Sequence, residues 1–224
     1  MKIFNLLTLS VLTLLLFSST GCKNMNRTQK GAIIGTGGGA AIGAVIGRAS
    51  GNTALGTLIG ATVGGATGAV IGNQMDKQAE EIRNEVPGAR VYRVGEGIIV
   101  EFSDKILFGV NQSDLNPASK ANLNKLKEVL VKYPDTDIEI QGHTDNTGSD
   151  KYNMSLSKRR ASAVSSYMVS TGVSSRRIST KGFGESAPNY GNDSEDGRAQ
   201  NRRVEFLITA NQKMRDEAKK NTAN

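Results

Sequence analysis

Tryptophan is absent, aromatic residues make up only 5% of the 224 residues, and there is one cysteine and one histidine. So few aromatics argue against a large aromatic-lined pocket. A lone Cys excludes an internal disulfide, and a lone His excludes a His-cluster metal centre. The net charge of +7 invites a nucleic-acid reading, but residues 92–210 carry only +1 of it and the excess lies in the flanks. A face built for phosphates would concentrate that charge, so nucleic acid is not an expected partner.

What is present begins with an address. Lys2 supplies a short positive end, Ile3 to Phe17 is a largely apolar run, and Ser18-Ser19-Thr20-Gly21 leads up to Cys22. The run reads as a secretory signal over residues 1–21, too short to be a spanning helix. Small residues before a lone Cys resemble a bacterial lipobox, although Ser19 stands where Leu is commonest. On that reading Cys22 is lipidated and becomes the first mature residue, followed by a linker over 22–30. More than one acyl chain makes such an anchor stable, at about 0.8 kcal/mol per buried methylene.

Residues 31–75 hold 14 of the 26 glycines. Gly31, Gly35, Gly39, Gly43 and Gly47 form one ladder, and Gly56, Gly60, Gly64, Gly68 and Gly72 form a second. A four-residue step keeps each ladder on one helix face. Each Gly costs about 1 kcal/mol of helix propensity relative to Ala, so the pattern makes sense only where backbones approach closely. The interleaved Ile, Val and Leu argue against a flexible linker. The segment resembles the glycine-zipper segments of bacterial envelope lipoproteins, folded as a hairpin about Arg48 to Asn52. Residues 31–47 would reach about 25 Å as a helix, marginal for a bilayer core of about 30 Å. Insertion in a membrane and soluble hairpin packing both remain open, as does self-association through the ladders. Residues 76–90, opening Asp76-Lys77-Gln78-Ala79-Glu80-Glu81, read as a charged linker.

Residues 91–210 carry the signals of a compact domain. Val91–Val94 and Ile98–Phe102 read as a hairpin about a three-residue Gly loop. Asn116 caps a helix with Pro117 at its first position, and Leu123, Leu126, Val129, Leu130 and Tyr133 supply its buried stripe. Asp137–Gln141 alternates as a strand. A loop from Gly142 to Asp150 leads into a helix through Leu156, Ala163, Val164, Tyr167 and Met168, ending at Gly172. Ile178–Phe183 and Val204–Thr209 are further strands. The order predicts an α+β sandwich, with a mixed sheet and helices on one side. Residues 211–224 read as a polar, disordered tail.

Gly142-His143-Thr144-Asp145-Asn146-Thr147-Gly148, Tyr152-Asn153, Leu156-Ser157, Arg159-Arg160-Ala161 and Arg198-Ala199-Gln200-Asn201-Arg202-Arg203-Val204 resemble the OmpA-like C-terminal domain, the family of OmpA, Pal and MotB. The resemblance spans about 120 residues. It implies a βαβαβ-type fold and noncovalent binding of peptidoglycan, through the diaminopimelate of its stem peptide, with no catalysis, cofactor or metal. It selects Asp145 for the ligand's ammonium and Arg160 for its carboxylate. The chemistry agrees, since a carbon bearing both charges needs a carboxylate and a guanidinium close together. Arg159 lies about 100° around the helix from Arg160 and cannot share the site. Asn111, Thr144, Asn146, Thr147, Leu156 and Arg202 are supporting candidates. Relatives often carry aspartates where this chain has Phe108-Gly109-Val110-Asn111, so Asn111 brings hydrogen bonds without charge.

Other chemistries fail on context. His143 and Asp145 with a serine lack a nucleophile elbow. The run from Asp145 to Leu156 lacks the Gly and Glu of a calcium loop. Gly182-Phe183-Gly184-Glu185-Ser186-Ala187 opens no apolar helix. The glycine ladders contain no acid for proton transport. The expectation is an outer-membrane lipoprotein with its wall-binding domain in the periplasm, tethering membrane to peptidoglycan. The alternative is an oligomeric membrane or secretion-system component in which the hairpin does the main work.

Overall fold

The computed structural model describes residues 65–109 and 111–223. The expected signal segment, Cys22, the first glycine ladder and Gly56, Gly60 and Gly64 of the second lie outside the described residues. The chain enters through helix α1 (Gly65–Glu85), then the hairpin of β1 (Arg90–Val94) and β2 (Gly97–Ser103). A single-turn helix α2 (Asp104–Leu107) precedes α3 (Pro117–Lys132), β3 (Thr136–His143) and α4 (Asp150–Ser170). Then come β4 (Ile178–Gly184), a short α5 (Glu195–Asn201), β5 (Arg203–Ala210) and a C-terminal α6 (Gln212–Ala223).

The five strands form one mixed sheet in the order β1-β2-β5-β3-β4. Only β3 and β4 run parallel, joined by the α4 crossover that a parallel pair requires. The last strand, β5, slots between β2 and β3 and pairs antiparallel with both. This is the α+β architecture the sequence predicts. Period-two alternation aims Ile98, Val100 and Phe102 of β2, Ile138 and Ile140 of β3, and Val204, Phe206 and Ile208 of β5 into one core beneath the helices. Phe102 and Phe206 meet there edge to face, with ring centroids 5.8 Å apart.

Local signals explain most boundaries. Asn116 caps α3 by accepting from Ser119 N at 2.8 Å, with Pro117 at the first position. Ser149 caps α4, and Gly172, at φ +115°, lies just past its end. In the β1–β2 hairpin Val94 pairs with Gly97, so the loop has two residues rather than the expected three. Gly95 takes φ +56°, which its first position demands. Gly142 and Gly182 admit α4 onto the sheet. A Cβ on Gly142 would stand 2.1 Å from Ser157 O, and one on Gly182 2.7 Å from Lys158 N.

Two further expectations are corrected. The stretch 76–85 is no linker but the second half of α1. Ile71, Met75, Ala79, Ile82 and Val86 recur at helical spacing and are buried in the main core, with Asp76, Lys77 and Glu80 outside. Glu81 also receives Lys132 Nζ at 2.7 Å and the Tyr133 hydroxyl at 3.0 Å, and Arg93 Nε reaches Asp76 at 2.9 Å. The C-terminal residues are likewise ordered as α6, which packs on α1 through Met214 and Ala218. Two apolar residues four apart suffice to seat a helix whose remaining face is charged.

Candidate ligand-binding site

Four segments converge at one end of the sheet: α2, the loop leaving β3, the first half of α4, and the turn from α5 into β5. Between them lies a cleft of about 380 Å³. Of the residues expected from the sequence, Asn111, Thr144, Asp145, Thr147, Leu156, Arg160 and Arg202 line it. Asn146 does not; it is exposed outside the cleft.

The strand β3 runs into Thr144 and Asp145, and the Thr144 N–H donates to Gly184 O at 2.9 Å, continuing the β3–β4 pairing. Asp145 folds back on its own loop: its Oδ1 accepts Thr147 N at 2.9 Å. Asn153 of α4 holds the loop from beneath, donating to Asp145 O and Thr147 O, both at 3.2 Å, and to Glu185 Oε2 at 2.6 Å. Arg160, two turns further along α4, is 2% exposed and stacks over the Phe108 ring at 5.1 Å. Its Nε donates to Gln112 O at 3.0 Å. Arg159 faces solvent.

The expected carboxylate–guanidinium pair is present in one cleft but not as a mutual ion pair. Asp145 Oδ2 is bonded to Arg202 Nη1, while Arg202 Nη2 reaches Glu195 Oε1 at 2.8 Å. Arg160 Nη2 instead faces Asp104 Oδ2 at 3.4 Å, and Arg202 Nε lies 3.6 Å from the same oxygen. Burial alone would raise the Asp145 carboxyl, but the Arg202 and Thr147 hydrogen bonds outweigh it and hold it below the ordinary carboxylate range. Asp104 moves the other way: burial lifts it above that range against the pull of Arg160 and Arg202. Burial also lowers Arg160, with Asp104 working in the opposite sense. The cleft therefore offers both signs of charge on preset groups.

Comparison with known proteins places this geometry. The model of the OmpA family matches residues 107–202, and that of the YMGG-like Gly-zipper matches residues 1–76. The outer-membrane lipoprotein YfiB of Pseudomonas aeruginosa is 37% identical over 115 residues, covering 51% of this chain and 68% of YfiB. The chain belongs to the OmpA family.

Two further relatives and a solved structure are also similar to this chain. The probable lipoprotein YiaD of Escherichia coli K12 is 36% identical over 137 residues, 60% of this chain and 63% of YiaD. The peptidoglycan-binding protein ArfA of Mycobacterium tuberculosis is 42% identical over 103 residues, 46% of this chain and 32% of ArfA. Among solved structures, the cell wall anchor of the T6SS from Pseudomonas aeruginosa superimposes with a TM-score of 0.53 at 25% identity, covering 61% of this chain and 96% of that one.

Asp104, Lys105, Phe108, Gly109, Tyr152, Asn153 and Glu195 complete the walls of this cleft, and none of them was a candidate ligand-binding residue from the sequence. Asp104 sits among charges that look like ordinary surface residues, and only the pairing of β2 with β5 sets it beside Arg202. Asn153 carried a signal, since an Asn on the inward face of a helix needs partners. The lone His143 belongs to the opposite face of the sheet. It is fully buried and stacked on Phe183, centroids 5.1 Å apart. Burial, helped by the nearby Arg203 charge, lowers its pKa to about 3, so it is neutral at physiological pH.

Proposed function

We propose that this cleft binds the free zwitterionic end of diaminopimelate in peptidoglycan stem peptides, and that the chain is a lipoprotein tethering the outer membrane to the wall. The observation that carries the reading is the joint burial of Arg160 and Asp145 in one cleft, each fixed by its own partners rather than neutralised by the other. Arg160 takes the ligand's carboxylate, Asp145 with its loop takes the ammonium, and Leu156 covers the alkyl chain between. Donors and acceptors set in advance need little reordering on binding. Nothing in this arrangement calls for catalysis; its product is attachment. That ArfA is a peptidoglycan-binding protein and YfiB an outer-membrane lipoprotein supports the two ends of the tether. The match to the Gly-zipper model supports close helix packing by the ladders between them.

Co-sedimentation with purified diaminopimelate-type peptidoglycan tests the reading, with Asp145→Ala and Arg160→Ala alongside. Losing one partner of a desolvated charge pair costs several kcal/mol, about a hundredfold in affinity. Wild-type binding with loss in both variants is the expected result. A folded wild type that stays in the supernatant sinks the wall-binding function and leaves the glycine segment as the working part. Undiminished binding by both variants keeps the function and rejects the two-residue site.

A further inference from the structure

Asp104 opens α2 and is held by its backbone, its N–H donating to Arg202 O at 2.9 Å and its C=O accepting Phe108 N at 2.7 Å. Its side chain is not needed for either contact. The carboxylate stands between two guanidiniums, with Oδ2 3.4 Å from Arg160 Nη2 and 3.6 Å from Arg202 Nε. A charge-assisted hydrogen bond would bring these atoms to about 2.8 Å. At the observed spacing Asp104 offsets both positive charges without closing a short hydrogen bond on Arg160 Nη2, which can turn to a ligand carboxylate.

Its other oxygen is the more telling. Asp104 Oδ1 is buried without a hydrogen-bond partner, and so is Thr144 Oγ1. Buried polar atoms in folded proteins are nearly always paired, and both of these residues line the same cleft. Asp145, by contrast, already uses Oδ1 on Thr147 and Oδ2 on Arg202. A ligand ammonium brings three donors and needs more acceptors than Asp145 can spare. The carboxyl torsion of Asp104 is soft, so turning Oδ1 toward the cleft costs little. Charges also balance around the cleft: Asp104, Asp145 and Glu195 stand against Lys105, Arg160 and Arg202. A balanced cleft suits a ligand end that itself carries both signs.

We propose that Asp104 is a specificity-determining residue of the cleft, selecting a ligand whose carboxylate has an ammonium on the same carbon over one bearing the carboxylate alone. The proposal rests on the diaminopimelate reading and names the group that enforces it. Without the Asp104 charge, discrimination against a bare carboxylate would rest on Asp145 alone and be much weaker.

The test uses the full chain in detergent and three tripeptides, L-alanyl-γ-D-glutamyl followed by meso-diaminopimelate, L-2-aminopimelate or L-lysine. The second lacks the distal ammonium and the third the distal carboxylate. By calorimetry the wild type should prefer the diaminopimelate probe over the aminopimelate probe by about 100-fold. In Asp104→Asn that preference should fall to about tenfold or less, while the preference over the lysine probe holds within about threefold. Asp104→Glu should retain the wild-type preference. If Asp104→Asn weakens all three probes alike, the residue only supports the fold and the proposal is wrong, though the diaminopimelate reading stands. Failure of the wild type to bind the diaminopimelate probe overturns both. Should Asp104→Asn not fold, Thr144→Val decides: a preference reduced by about threefold or more supports the proposal, and an unchanged one overturns it.

Discussion

Arg160 keeps 3% of its side chain exposed, whereas Arg159 beside it is exposed and donates to Ser155 Oγ at 2.6 Å. Only the buried one can convert a charge into recognition, because solvated charges are worth little. Its role needs a planar fork: one edge is spent on Gln112 O, and the face lies on Phe108. Arg160→Lys keeps the charge and loses both, so stem-peptide affinity should drop by about tenfold or more, read by calorimetry. The depressed pKa of Asp145 sets a pH window. A carboxylate held below its ordinary pKa stays ionised as pH falls through the usual range, so Asp145 should keep its hold on the ligand at pH 5, while the preference set by Asp104, whose pKa burial raises, should weaken first. Stability follows a different residue. The unfolded chain takes up a proton on His143 below about pH 6.5, while the folded protein refuses it until about pH 3. Stability is thus lost as pH drops across that interval. His143→Leu should flatten the decline, seen as a smaller fall in Tm between pH 7 and pH 5. At this scale the sequence pointed to Asp145 and Arg160, which line one cleft, because both sit within dense motifs. It missed Asp104, whose meaning comes from a strand pairing about a hundred residues away.

Element boundaries followed where the chain announces them, as with the Asn116-Pro117 start of α3 and the Gly172 stop of α4. They failed where charge masks an apolar stripe. In α1 the acids and lysine between Met75 and Ile82 read as a solvated linker, yet both apolar side chains are fully buried. Ile82→Ala should therefore cost about 2–5 kcal/mol in urea unfolding, a core penalty and not a linker's. Removing α6 after Asn211 uncovers part of α1 and should also destabilise, although its mean hydropathy gives no hint of a packing role. The glycines beneath α4 tie this scale to the site. Gly142→Ala forces a Cβ against Ser157 O, one turn before Arg160. The helix must shift to admit it, so this variant should lose affinity for stem peptide as well as Tm, despite lying outside the cleft.

The last rungs of the second glycine ladder, Gly68 and Gly72, stand on the helix that buries Ile71, Met75, Ala79 and Ile82 in the domain core. From Gly65 onward, then, the ladder runs into the domain that holds the cleft through continuous helix, with no flexible joint between. On the proposed reading, a lipid anchor at Cys22 and the cleft would make a two-point attachment, in which each contact raises the local concentration of the other. The consequence is a pattern across fractions that neither contact alone would give. Cys22→Ser should leave the membrane fraction but still sediment with isolated wall. Arg160→Ala should remain with membrane and be lost from detergent-washed wall. The double variant should be found in neither. If Cys22→Ser alone stays with membrane after the wall is digested, the anchor is not the lipid, and the glycine segment must hold the bilayer by itself.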